Sequence, residues 1–216
     1  MRSLIVAALL LLTVSICSAQ SGKIESAGAP ESSVPDKLKA SLDSTGSRAI
    51  LDDGSVACEI WMRKSVPAQS GKGADDVLYP ELAESTLVGV ISFPKATTDY
   101  RGQAIAAGSY TLRYELIPND GNHLGVSPNR DFLLLVPVAS DPDPEAMFKF
   151  EELVGLSRKA TSTRHPGPLS MVQAPAGTAA ELHKDDEDHW VFSTAIKLSN
   201  GKDLPIAWIV KGTAPQ

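Results

Sequence analysis

Apolar and polar residues alternate along much of this chain, and the alternation predicts strands. From Val56 to Arg63, Val56, Cys58, Ile60 and Met62 share one face while Ala57, Glu59, Trp61 and Arg63 share the other. Arg48–Leu51 precedes this run across Asp52-Asp53-Gly54-Ser55, and Asp-Gly supports the positive φ of a tight turn, so the two read as a hairpin. Thr86–Phe93 is rich in strand formers and stops at Pro94. Tyr110, Leu112, Tyr114 and Leu116 alternate with Thr111, Arg113, Glu115 and Ile117, a half-buried strand. Phe132–Val136 is a continuous apolar run, which predicts a strand covered on both faces. Leu169–Gln173 is a further short strand. Trp190–Leu198 and Leu204–Val210 form a hairpin around Asn200-Gly201, and Pro205 points to an edge position.

Helical spacing is confined to two places. Leu38 and Leu42 lie one turn apart, which predicts a short helix over Asp36–Leu42. Asp143 followed by Pro144 supplies a cap and a first helical residue, and Met147, Phe150, Leu153, Val154 and Leu156 follow at roughly helical intervals, which predicts a helix over 143–161. The class is therefore mainly β: an antiparallel β-sandwich or jelly-roll-like fold with one inserted helix.

The N-terminus changes this picture. Arg2 precedes the apolar run Leu4–Val14, and small residues at Cys17 and Ala19 suit a cleavage site, so residues 1–19 read as a signal peptide and the protein as exported, periplasmic or extracellular. A lipoprotein anchored at Cys17 ranks second, because the bulky Ile16 would precede the cut. Gln20–Pro35 is rich in Ser, Gly, Ala and Pro and reads as a flexible tether, leaving 36–216 as a single domain. No later segment has the run of about 20 apolar residues that a transmembrane helix needs. The formal net charge of −6 argues against a nucleic-acid partner. Without the first 19 residues a lone cysteine, Cys58, remains; it precludes an internal disulfide and reads as a small core hydrophobe.

Candidate chemistry is sparse. The polar connection Asn119–Asp131 brings His123, Arg130 and Asp131 together between two strong strands, a placement that suits a binding loop on a rigid scaffold. Trp61 between Glu59 and Arg63 has the composition of a platform for a sugar ring or peptide. Arg158, Lys159, Arg164 and His165 follow the predicted helix, where the helix dipole alone accounts for positive charge. Glu181–His189, ELHKDDEDH, carries two histidines six apart, a spacing that suits no helical zinc pair, and reads as a solvated acidic turn. The chain lacks Gly-x-Ser-x-Gly, His-Glu-x-x-His and Cys-x-x-Cys, and no cofactor is read from it. The one metal reading rests on His123 and His165.

The phrases AAGSYTLRYELIPNDGNHLGVSPNRDFLLLVPVASDPDP (106–144) and FEELVGLSRKATSTRHPGPLS (150–170) resemble a family of secreted bacterial proteins with a β-sandwich-like core and no assigned function. The resemblance implies a single domain of this size and carries no catalytic residues. The leading expectation is an exported module that binds a small molecule, glycan or envelope protein. Its rivals are a metal-assisted hydrolase or other small-ligand enzyme using His123, Asp131 and His165, and a structural envelope protein.

Overall fold

The computed structural model describes residues 22–69, 76–119 and 127–214. The expected signal peptide, Cys17 and His123 lie outside the described residues. Mainly antiparallel β structure is what the chain adopts, as expected: one large sheet nearly closed into a barrel, broadly consistent with a sandwich-like fold. In chain order the elements are β1 (Lys23–Gly28), α1 (Asp36–Ser41), β2 (Gly46–Ile50), β3 (Val56–Met62), β4 (Leu87–Phe93), β5 (Thr97–Thr98), β6 (Ala104–Ile105), β7 (Gly108–Leu116), β8 (Asp131–Pro137), α2 (Phe150–Thr161), β9 (Pro168–Val172), β10 (Glu181–Lys184), β11 (Trp190–Lys197) and β12 (Asp203–Lys211). The ten-stranded sheet runs β1-β2-β3-β4-β7-β8-β9-β12-β11-β10, with β5 and β6 paired separately. Its two edges meet where the Gly22 N–H donates to the Leu182 carbonyl at 3.0 Å. Glycine permits that approach, since a Cβ on Gly22 would stand 2.5 Å from Leu182 Cδ2.

Alternation decides what fills the barrel. Cys58 and Ile60 of β3, Tyr110, Leu112 and Tyr114 of β7, Leu133 and Leu135 of β8, and Phe192 and Trp208 of the last hairpin all enter one interior cluster. The segment between β3 and β4 closes one end. Val66 bridges to β11, its N–H donating to the Lys197 carbonyl at 2.8 Å, and Tyr79 and Leu82 join the interior cluster. The Tyr79 hydroxyl stands between β9 and β12, accepting the Ala207 N–H at 3.0 Å and donating to the Val172 carbonyl. Direct pairing of β9 with β12 is limited to Ala207↔Val172 and Trp208↔Met171.

The structure corrects four expectations. Residues 20–35 are not a tether throughout, because Lys23–Gly28 pairs with β2 and Val34 is buried. An edge strand needs backbone partners and few apolar anchors; here Ile24 packs on the interior cluster, so the polar composition concealed it. The second correction is the helix, which begins at Phe150 rather than Asp143. Asp143 does cap locally, accepting the Glu145 N–H at 3.0 Å, but the carbonyls of Asp143 and Ala146 accept from Arg113 and that of Pro144 accepts from Arg63. Those carbonyls are then occupied by arginines instead of a following helical turn. Third, Pro205 lies on β12, an inner strand, beyond the stretch that pairs with β9. Fourth, Glu181–His189 is not all turn, since its first four residues form β10. Among the described residues no helix is long and apolar enough to cross a membrane.

Candidate functional site

The outer wall of the barrel is dressed in patches. Val34, Leu38 and Leu42 cover Trp61, Leu87 and Val90. On the other side α2 lies over β8, and Leu153 packs on the outward Phe132, Leu134 and Val136. Between this helix and the ends of β8 and β9 the wall leaves an open cleft of about 110 Å³. Its floor is apolar: Phe132 from β8, Phe150 and Val154 one turn apart on α2, Pro168 from β9, and Ile117 and Pro118 beyond β7. Among the described residues Arg101, Ser127, His165 and Ser170 supply its polar atoms, and no carboxylate lines it. The volume is ring-sized, near the roughly 150 Å³ of an apolar cavity that admits benzene.

Gln103 links the two sides of the rim. Gln103 donates through Nε2 to Asp99 Oδ2 at 3.1 Å and to the Pro166 carbonyl at 2.8 Å, and its Oε1 accepts from the Thr163 hydroxyl at 2.7 Å. It therefore ties the turn carrying Arg101 to the loop carrying His165. The nearby Asp99 carboxylate is buried and engaged by the Arg101 and Gln103 backbone N–H groups at 3.0 and 2.8 Å. Among the described residues the side chains of Arg101 and His165, both exposed, have no ion-pair partner. Among the same residues Ser127 Oγ is buried and has no hydrogen-bond partner.

The residues singled out from sequence do not converge on one point. His165 lies in the cleft wall. Asp131 is fully buried on the opposite side of β8, where its carboxylate accepts the Leu78 and Tyr79 N–H groups at 2.9 and 3.1 Å and the Tyr114 hydroxyl at 2.7 Å. Arg130 is half-buried; it donates to the Ile117 carbonyl at 3.0 Å and pairs with Asp76 at 2.5 Å. Both therefore hold chain segments together. Trp61 is no platform, being 1% exposed, with its indole N–H donated to the Gly28 carbonyl at 2.9 Å. Its polar neighbours are likewise committed, Glu59 to Arg48 at 2.7 Å and Arg63 to the Pro144 carbonyl and Glu145 carboxylate.

His189 is also occupied. It is buried, with Nδ1 2.9 Å from Asp185 Oδ2 and Nε2 3.0 Å from the Thr213 carbonyl, which fastens the C-terminal strand end to the acidic turn. Among the described residues no three His, Cys, Asp or Glu side chains gather as a metal site. Cys58 is sealed in the barrel, and burial pushes its thiol far up, away from the reactive thiolate. Burial likewise pushes the Glu115 carboxyl up to about 7, with Glu84 adding like-charge repulsion. Glu115 follows Arg113 on the covered outward face of β7 and does not line the cleft.

Sequence reasoning missed Arg101 and the apolar floor. The i, i+4 pair Phe150 and Val154 was a legible signal, yet what it faces depends on β8 and β9 being neighbours, which local pattern does not encode. Compared with protein-family models, curated proteins and solved structures, the chain matches none.

Proposed function

We propose that this protein is an exported β-barrel module that binds a ligand in the outer-wall cleft beside α2. The observation that carries the reading is an apolar cleft left open by folding and rimmed by two side chains, Arg101 and His165, that have no ion-pair partner among the described residues. Concave, mostly apolar sites with a few oriented polar groups are the usual form of small-molecule sites. The barrel interior offers no comparable reading, since aromatic and aliphatic side chains fill it. Export rests on the Arg2, Leu4–Val14 and Ala19 pattern. The metal-assisted hydrolase draws no support from Asp131 and His165, which face opposite sides of the sheet.

The test is a fragment screen by NMR on isotope-labelled protein from residue 20 onward, repeated on Val154→Trp, which fills the cleft. Ligands that move the amides of 165–170 and 150–154 in the parent and lose binding in a folded Val154→Trp variant support the reading. Ligands that bind both proteins equally place the site elsewhere and overturn it.

A further inference from the structure

Resting on that reading, we infer that the cleft takes a small monocarboxylate with a ring or branched aliphatic body, the body on the Phe132, Phe150 and Val154 floor and the carboxylate at Arg101 and His165. Three observations carry this. First, among the described residues the polar side chains of the wall are Arg101, Ser127, His165 and Ser170, all able to donate a hydrogen bond, and none of them carries negative charge. Second, the obvious internal competitor for Arg101 is already used: the Asp99 carboxylate is turned into its own loop by two backbone N–H groups and Gln103. Third, Ser127 Oγ is buried beside the cleft and, among the described residues, has no hydrogen-bond partner. A guanidinium beside an apolar floor discriminates by charge as well as by shape, because its hydrogen bonds to a carboxylate are charge-assisted.

Four probes of similar body separate the alternatives: phenylacetate, 2-phenylethanol, phenethylamine and acetyl-Gly-Phe with a free C-terminus. Dissociation constants are measured by NMR titration on protein from residue 20 onward, and on Arg101→Met and Val154→Trp variants whose folding is checked by circular dichroism. Phenylacetate is expected to bind about tenfold or more tighter than 2-phenylethanol, with the amine weakest, consistent with the strength of charged hydrogen bonds. Arg101→Met should bring acid and alcohol within about threefold, with the acid losing more than the alcohol. Equal affinity for acid and alcohol in the parent would overturn the carboxylate preference and leave the binding module standing. A peptide binding far more tightly than phenylacetate would make the occupant a chain terminus and overturn the small-molecule assignment. Absence of binding by all four, or binding that survives in Val154→Trp, would remove the cleft as the site and the proposed function with it.

Discussion

Arg113 holds Asp141 in a two-pronged pair, Nε to Oδ2 at 2.8 Å and Nη2 to Oδ1 at 2.7 Å, with both side chains fully buried. Every guanidinium N–H is spent, the remainder going to the carbonyls of Ser85, Asp143 and Ala146. Thr111 Oγ1 adds a hydrogen bond to Asp141 Oδ2 at 2.6 Å, and Phe148 lies 5.1 Å from the guanidinium carbon. Ser85 is held at φ 70°, a left-handed conformation costly for a non-glycine residue, and its hydroxyl accepts the Phe148 N–H at 2.8 Å. Arg113 thus fastens the stretch between β8 and α2 to the barrel, which sets where the helix begins and hence where the cleft lies.

Removing one partner of such a pair strands a buried charge. Asp141→Asn and Arg113→Met are each expected to cost about 3–5 kcal/mol in urea denaturation. The double variant Arg113→Met/Asp141→Leu should cost much less than the two single losses added together, because no charge remains unpaired. Strict additivity would show that the two side chains do not act as a pair.

A second prediction concerns the chain entry. Leu38 of α1 and Val34 seal Trp61, so Leu38→Ala should lose about 2–5 kcal/mol. Trp61→Phe should lose roughly 1 kcal/mol, reflecting the hydrogen bond to the Gly28 carbonyl and a smaller ring. Glycine at position 46 is also required, since a Cβ there would stand 2.5 Å from the Trp61 indole nitrogen. If Leu38→Ala left the unfolding midpoint unchanged, the N-terminal segment would not be part of the cooperative fold.

The strands were largely legible from local pattern. The Asp-Gly and Asn-Gly hairpins, the doubly covered Phe132–Val136 run and the inward Cys58/Ile60 face all lie where alternation and turn chemistry put them. What local pattern could not supply was set by distant partners. β1 became a strand because β2 offered an edge, and 143–149 failed to be helix because Arg63 and Arg113 took its carbonyls. Arg101 carried no signal at all; the Gln103 cross-link to 163–166, a long-range contact, ties its turn to the loop of His165.

Glu115 makes stability depend on pH. Its folded pKa is about 7 against an ordinary 4.5, so the folded state holds the proton more tightly than the unfolded chain. Its contribution to stability is therefore greatest below the ordinary value, falls as pH rises from about 4.5 towards 7, and is flat above. Over that window the loss is at most about 3 kcal/mol. Glu115→Gln removes the titration, so its advantage over the parent should be near zero at acid pH and approach that figure at pH 8. An advantage independent of pH would assign the effect to packing rather than ionisation.

The last prediction separates a structural Asp131 from a functional one. Its carboxylate accepts from Leu78 N, Tyr79 N and the Tyr114 hydroxyl, and so pins the segment that places Tyr79 between β9 and β12. Asp131→Asn keeps the size but substitutes an NH₂ for one acceptor, facing it toward groups that themselves donate; a loss on the order of 3 kcal/mol is expected. Tyr79→Phe removes the hydroxyl from the β9–β12 seam and should cost roughly 1–3 kcal/mol. Because both anchor the same segment, the double variant should lose less than the sum, with a coupling of about 0.5 kcal/mol or more. Below the unfolding transition, Asp131→Asn should bind phenylacetate as the parent does, since the residue faces the barrel interior and the cleft lies on the outer wall. A folded Asp131→Asn protein that had lost that binding would return Asp131 to the functional site.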